Sequence, residues 1–137
     1  MKFIDANVFL YAFLSAKATP DGKKLKESAK SILYRVQKGE EVFTTVVHLS
    51  EVANIIEDKV PFDQQRHFFE SIISNVSLEI KEINKETYSL AIEYAMDNAM
   101  GVNDALAVIL MQKENINEIY SFDSDFDEVN GVSRITE

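Results

Sequence analysis

The strongest constraint on this chain's fold is a change of hydrophobic period that repeats along it. Short runs such as "MKFID", "EVFTT", "SLEIKEI", "EIYSF" and "VSRIT" are continuous or alternating in apolar residues, as strands are. Between them lie longer segments whose apolar residues recur every three or four positions, as on a helix face. Strands that alternate with helices pair in parallel and bury both sheet faces under those helices. The reading is an α/β fold, a three-layer α/β/α sandwich around a central parallel sheet of about five strands. Right-handed crossovers fix the hand of each connection but leave the strand order open.

The helical segments carry their own punctuation. "NVFLYAFL" follows the first strand and is apolar nearly all round. In "DGKKLKESAKSILYRVQKG", Leu25, Ala29, Ile32, Leu33 and Val36 share one face, and Gly39 stands where the helix should stop. Thr44 or Thr45 is placed to cap "VVHLSEVANIIED", and Asn84 to cap "KETYSLAIEYAMDNAM". Pro61 and Asp63 open "FDQQRHFFESIISNV". Gly101 interrupts the pattern before "VNDALAVILMQKEN", which should start near Asn103 or Asp104. No repeat, linker or low-complexity stretch divides the chain, so residues 1–137 are read as one domain.

Composition narrows the chemistry. The absence of cysteine excludes disulfides and thiolate-bound zinc or iron–sulfur clusters. A net charge of −9 argues against a protein that coats nucleic acid by charge alone. The basic residues are unevenly placed, with Lys23, Lys24, Lys26, Lys30, Arg35 and Lys38 in one segment. Lys23, Lys26 and Lys30 make a stripe opposite the apolar face, expected to be solvated, with RNA steering as a secondary role. The apolar run from Val8 to Leu14 is too short to span a bilayer, and no signal-type cleavage site follows it. The expectation is a cytoplasmic protein with no membrane partner.

In folds of this class, sites gather beyond the carboxyl ends of the strands. Asp5 closes the first strand and Asp123 closes "EIYSF", so on parallel strands both would emerge on one edge. Asp104 stands in the first turn of a helix entered from that side or near it. Glu51 lies inside a helix between Val47 and Ile55, on or beside a face that should be buried. A carboxylate there needs a cation, a donor or a proton. Two carboxylates about 5 Å apart repel by about 3 kcal/mol at an effective dielectric of about 20. Four or five converging acids are hard to keep ionised unless a divalent ion neutralises them, and oxygen-only ligands favour magnesium or manganese over zinc. "SFDSDFDEV" does not read as a calcium loop, because Glu128 and Arg134 stand where such a loop wants Gly and Glu. Asp123 is its ligand candidate and Asp125 a weaker second, while Asp127 and Glu128 read as solvated turn residues.

Four segments in order, "FIDANV", "HLSEVANII", "VNDALAVILM" and "SFDSDFD", together resemble the PIN domain. This is the metal-dependent nuclease fold of toxins in VapBC-type toxin–antitoxin pairs and of RNA-processing enzymes. The resemblance spans the whole chain. It implies strand order 3-2-1-4-5, binding of Mg²⁺ or Mn²⁺, and hydrolysis of RNA phosphodiester bonds to leave a 5′-phosphate. It assigns Asp5, Glu51, Asp104 and Asp123 as the catalytic quartet, with Asp5, Asp104, Asp123 and Asp125 holding metal. Glu51 would hold metal or orient water, and Asn7 and Ser121 match supporting polar positions. No RNA-binding residue is marked. A toxin of this kind implies a small antitoxin partner that inserts a basic side chain among the acids, and a homodimer.

Singly, these residues have plainer readings. Asp5 could close a turn, Asp104 could complement a helix dipole, and Asn7 could cap "VFLYAFL". His48, three residues before Glu51, reads as structural, and Phe9, Tyr11, Phe13, Phe68 and Phe69 as core or dimer packing. Three rival functions stand beside the toxin. One is an RNA-processing nuclease of the same fold outside a toxin pair. Another is a haloacid-dehalogenase-type phosphatase, which needs an acid where Asn7 stands. The third is a non-catalytic scaffold, whose acids would be eroded.

Overall fold

The computed structural model describes residues 1–17 and 19–137. In chain order the elements are β1 (Lys2–Ile4), α1 (Ala6–Phe13), α2 (Pro20–Gln37), β2 (Val42–Thr45), α3 (Val46–Lys59) and α4 (Phe62–Ile73). Then follow β3 (Leu78–Lys81), α5 (Lys85–Asn98), α6 (Val102–Lys113), β4 (Glu118–Tyr120), a short 3-10 helix (Ser124–Glu128) and β5 (Ser133–Ile135). The strands form one sheet, parallel throughout, in the order β3-β2-β1-β4-β5. Both the parallel sheet and its order are those expected. Among the described residues, no helix is long and apolar enough to cross a membrane.

Period-two alternation builds the two core layers. Phe3 pairs with Phe43 on one side and Ile119 on the other, and all three side chains pack under α5 and α6. Their neighbours Ile4, Val42 and Tyr120 point the opposite way, against α1 to α4. Phe3 and Phe43 meet edge to face at 5.1 Å. Each such buried side chain contributes about 1.5–3 kcal/mol, so the central strands are held by their side chains as much as by their ladder.

The helix starts follow local chemistry. Thr45 accepts from the His48 N–H and Asn84 from the Thr87 N–H, capping α3 and α5. The cap of α1 is Asp5, whose side chain accepts from the Ala6 N–H, and not Asn7. Gly39 ends the α2 region with φ 115°, a conformation that disfavours any side chain.

Five boundaries differ from expectation. β1 and β4 end at Ile4 and Tyr120, so Asp5 and Asp123 lie beyond the strands. α4 stops at Ile73, because Asn75 accepts from the Ser77 N–H and turns the chain, leaving Val76 fully exposed. α5 stops at Asn98, where Ala99 takes a left-handed φ of 51°. α6 begins at Val102, one residue early. Lys26 also departs from the solvated stripe. Its ammonium donates to the carbonyls of Ala12 and Leu14, closing the C-terminal end of α1, whereas Lys23 and Lys30 are exposed.

Candidate functional site

β1 lies between β2 and β4, so its carboxyl end delivers Asp5 to the middle of the sheet edge. The Asp5 N–H continues the ladder by donating to the Tyr120 carbonyl at 3.0 Å. The side chain is buried. One oxygen accepts from the Ala6 N–H at 2.8 Å and the other from the Ser121 hydroxyl at 2.7 Å. Ser121 in turn accepts from the Asp123 N–H at 3.1 Å, and Asn7 accepts from the Phe122 N–H at 3.2 Å. Asn7 and Ser121 thus lock the turn after β4 onto the start of α1. Burial raises the pKa of Asp5, its two hydrogen bonds oppose that, and the charge of Asp123 adds to it.

In front of this buried pair stands an open group. Asp104 projects from the first turn of α6, and Asp123 caps the 3-10 helix by accepting from the Asp125 N–H at 2.9 Å. Asp104, Asp123 and Asp125 each offer one oxygen, and the three oxygens lie within 4.8 Å of one another. Burial pushes the Asp104 carboxyl up to about 7, helped in turn by the charges of Asp5, Asp123, Glu51 and Asp125. Among the described residues, no Lys or Arg forms an ion pair with any of these acids. An all-oxygen, uncompensated anionic set fits a hard divalent cation such as Mg²⁺ or Mn²⁺.

Not every candidate sits as expected. Glu51 is exposed, because the buried stripe of α3 runs through His48, Val52 and Ile56, about 100° round the helix from Glu51. It needs no counter-ion for burial. Glu51 stands at the rim, where the Asn103 amide donates to it at 3.5 Å, outside the close trio. Asp125, the weaker candidate, is inside that trio. Asp127 is exposed and held by Arg134 through bonds of 2.9 and 2.8 Å, and Glu128 faces solvent.

His48 is buried and structural, as expected. Its Nδ1 lies 2.7 Å from the Thr45 hydroxyl and its Nε2 2.9 Å from the Asn103 carbonyl. Burial lowers its pKa to about 4. Asn103 was not among the candidates, although it stands next to Asp104 in "VNDALAVILM".

The parallel sheet and the acids at its carboxyl edge define an α/β domain with an acid-lined site. The chain belongs to the PIN domain family, whose sequence model matches residues 2–132. No curated protein sequence matches it. Solved structures share its fold at low identity. A sarcin–ricin-loop-cleaving VapC toxin of Mycobacterium tuberculosis superposes with TM-score 0.77 at 16% identity, over 95% of each chain. A VapBC complex of Rickettsia felis bound to promoter DNA gives 0.69 at 16%, over 98% of this chain and 96% of that one. A toxin–antitoxin complex of Klebsiella pneumoniae gives 0.69 at 14%, over 97% and 96%.

Proposed function

We propose that this chain is a Mg²⁺- or Mn²⁺-dependent ribonuclease that hydrolyses RNA phosphodiester bonds as the toxin of a VapBC-type pair, with residues 1–137 acting as one domain. The observation that carries this reading is the trio of carboxylate oxygens within 4.8 Å at the sheet edge of a PIN domain. Asp104, Asp123 and Asp125 would hold the ion. Asp5 adds negative charge from behind and, through Ser121, fixes Asp123. Glu51 faces the approaching substrate from the rim, placed to orient a water. When bound, a divalent ion polarises a phosphoryl oxygen and acidifies water.

The toxin reading is supported by the neighbours, one of which cleaves the sarcin–ricin loop while two are toxin–antitoxin complexes. They favour a small protein antitoxin as partner. A homodimer is supported by Tyr88, Ile92 and Met96, which recur every fourth residue on α5 and are 37%, 41% and 68% exposed.

The test is cleavage of mixed RNAs with Mn²⁺ or Mg²⁺, comparing wild type with Asp104→Asn. Metal-dependent cleavage lost in the variant is expected. Activity that survives EDTA, or a fully active variant, would sink the reading.

A further inference from the structure

We propose that His48 is a positioning residue of the acidic site: its imidazole ties the N-terminal turn of α6 to α3 and so fixes where Asp104 meets Asp123 and Asp125. This deepens the metal-centre reading above and rests on it.

The hydrogen-bond chain defines the ring's state. The Thr45 hydroxyl oxygen accepts from the His48 backbone N–H at 3.1 Å, so its one proton is free to donate to Nδ1, 2.7 Å away. Nε2 then carries the ring proton and donates to the Asn103 carbonyl at 2.9 Å. The imidazole is fully enclosed, 1% exposed, and the Phe3 ring packs edge-on against it at 4.9 Å. It therefore has one tautomer and one orientation.

A tether is needed here for two reasons. The N-cap of α6 is Gly101, and no side chain caps the helix, so its first turn has no anchor of its own. That same turn carries Asp104 toward two other carboxylates that repel it. Unheld, the turn would relax outward. The bond from His48 reaches the residue immediately before Asp104 and opposes that relaxation. The helix that carries His48, α3, also supplies Glu51, to which the Asn103 side-chain amide donates, so one imidazole sets the relation between both acid-bearing helices.

The experiment compares wild type, His48→Leu, which fills the space without a donor, and His48→Gln, which returns an N–H donor at similar reach. Backbone amide exchange is read without metal, at Ala105 to Ala107 in the first turns of α6 and at Leu110 and Met111 further along. Mn²⁺ binding is read separately by calorimetry without RNA. Expected in His48→Leu is faster exchange confined to the first turns and Mn²⁺ affinity about tenfold weaker, both restored in His48→Gln. Exchange that is unchanged, or that rises evenly along α6, overturns the proposal, as does wild-type Mn²⁺ affinity in His48→Leu. If the wild type itself binds no Mn²⁺, the metal reading fails instead, and the exchange pattern decides the tether alone.

Discussion

Two parts of one acidic edge are built on opposite principles. At Asp5 the carboxylate is buried, both oxygens accept hydrogen bonds, and Asn7 and Ser121 stitch the surrounding turns together. On the same edge, Asp104, Asp123 and Asp125 bring oxygens within 4.8 Å of one another, and among the described residues no Lys or Arg forms an ion pair with them. The first arrangement is satisfied by donors within the chain, and the second leaves its mutual repulsion uncompensated. A protein holds unneutralised acids together only at a cost in stability. The contrast therefore separates a carboxylate satisfied by hydrogen bonds from carboxylates left without a counter-charge among the described residues.

The sharpest way to break this contrast is Asp104→Asn. On the proposed reading, removing this one charge should lower the rate of metal-dependent RNA cleavage by about a thousandfold, the scale of several kcal/mol of lost charge stabilisation. The same change should raise the stability of the metal-free protein above neutral pH. Discounted for partial exposure, the gain is roughly 1–2 kcal/mol, read from urea unfolding. A variant that loses both activity and stability would place Asp104 with the supporting residues.

Ser121→Ala should behave the other way. It strips a donor from buried Asp5 and an acceptor from the Asp123 N–H, at a cost of about 1.5–3 kcal/mol. Thermal unfolding with and without Mn²⁺ checks this. An unchanged melting temperature would mean that the buried part is as tolerant as the open one.

The pH dependence of stability splits along the same line. An unfolded Asp titrates near 4, whereas Asp104 in the folded protein titrates near 7. Between those values the folded state binds more protons, so metal-free stability falls as pH rises through that window. Asp5, also raised, acts in the same direction. His48 acts oppositely. Its folded pKa is lowered to about 4, so its contribution is complete above about 6.5 and is lost as pH falls toward 4. That contribution is roughly 3 kcal/mol at most. Urea unfolding from pH 4 to 8 should show Asp104→Asn removing a fall in stability between about pH 4 and 7, and His48→Gln removing a rise between about pH 4 and 6.5. The smallest effect belongs to Asp127→Asn, which breaks only an exposed pair with Arg134 and should leave cleavage and melting temperature unchanged.

What could be read from the sequence was whatever neighbours in the chain decide. Thr45 and Asn84 cap their helices because the acceptor and the amide it serves lie three residues apart. Asp5 and Asp123 reach one edge because parallel strands leave no other choice. Glu51 was misplaced because the buried stripe of α3 includes a histidine, which apolar periodicity does not count, and this shifts the face by one residue. The nearness of Asp125 depends on Asp123 turning the chain into a 3-10 helix, a local cap the spacing of acids did not reveal. The bond from His48 to Asn103 joins residues 55 positions apart, and no motif announces it.

The place of β1 between β2 and β4 also sets a clock. During synthesis β1 and β2 are available early, yet the strand that completes the other side of β1 is made only after α6, more than 110 residues behind β1. Until it docks, Asp5 lacks the hydroxyl of Ser121, 116 positions later, and Asp104 lacks both facing aspartates. Contacts this distant form late, after the loop between them has closed. A chain made only as far as α6 therefore has no assembled acidic edge, and that edge comes into being only once β4 and the 3-10 helix after it have been made and the sheet has closed.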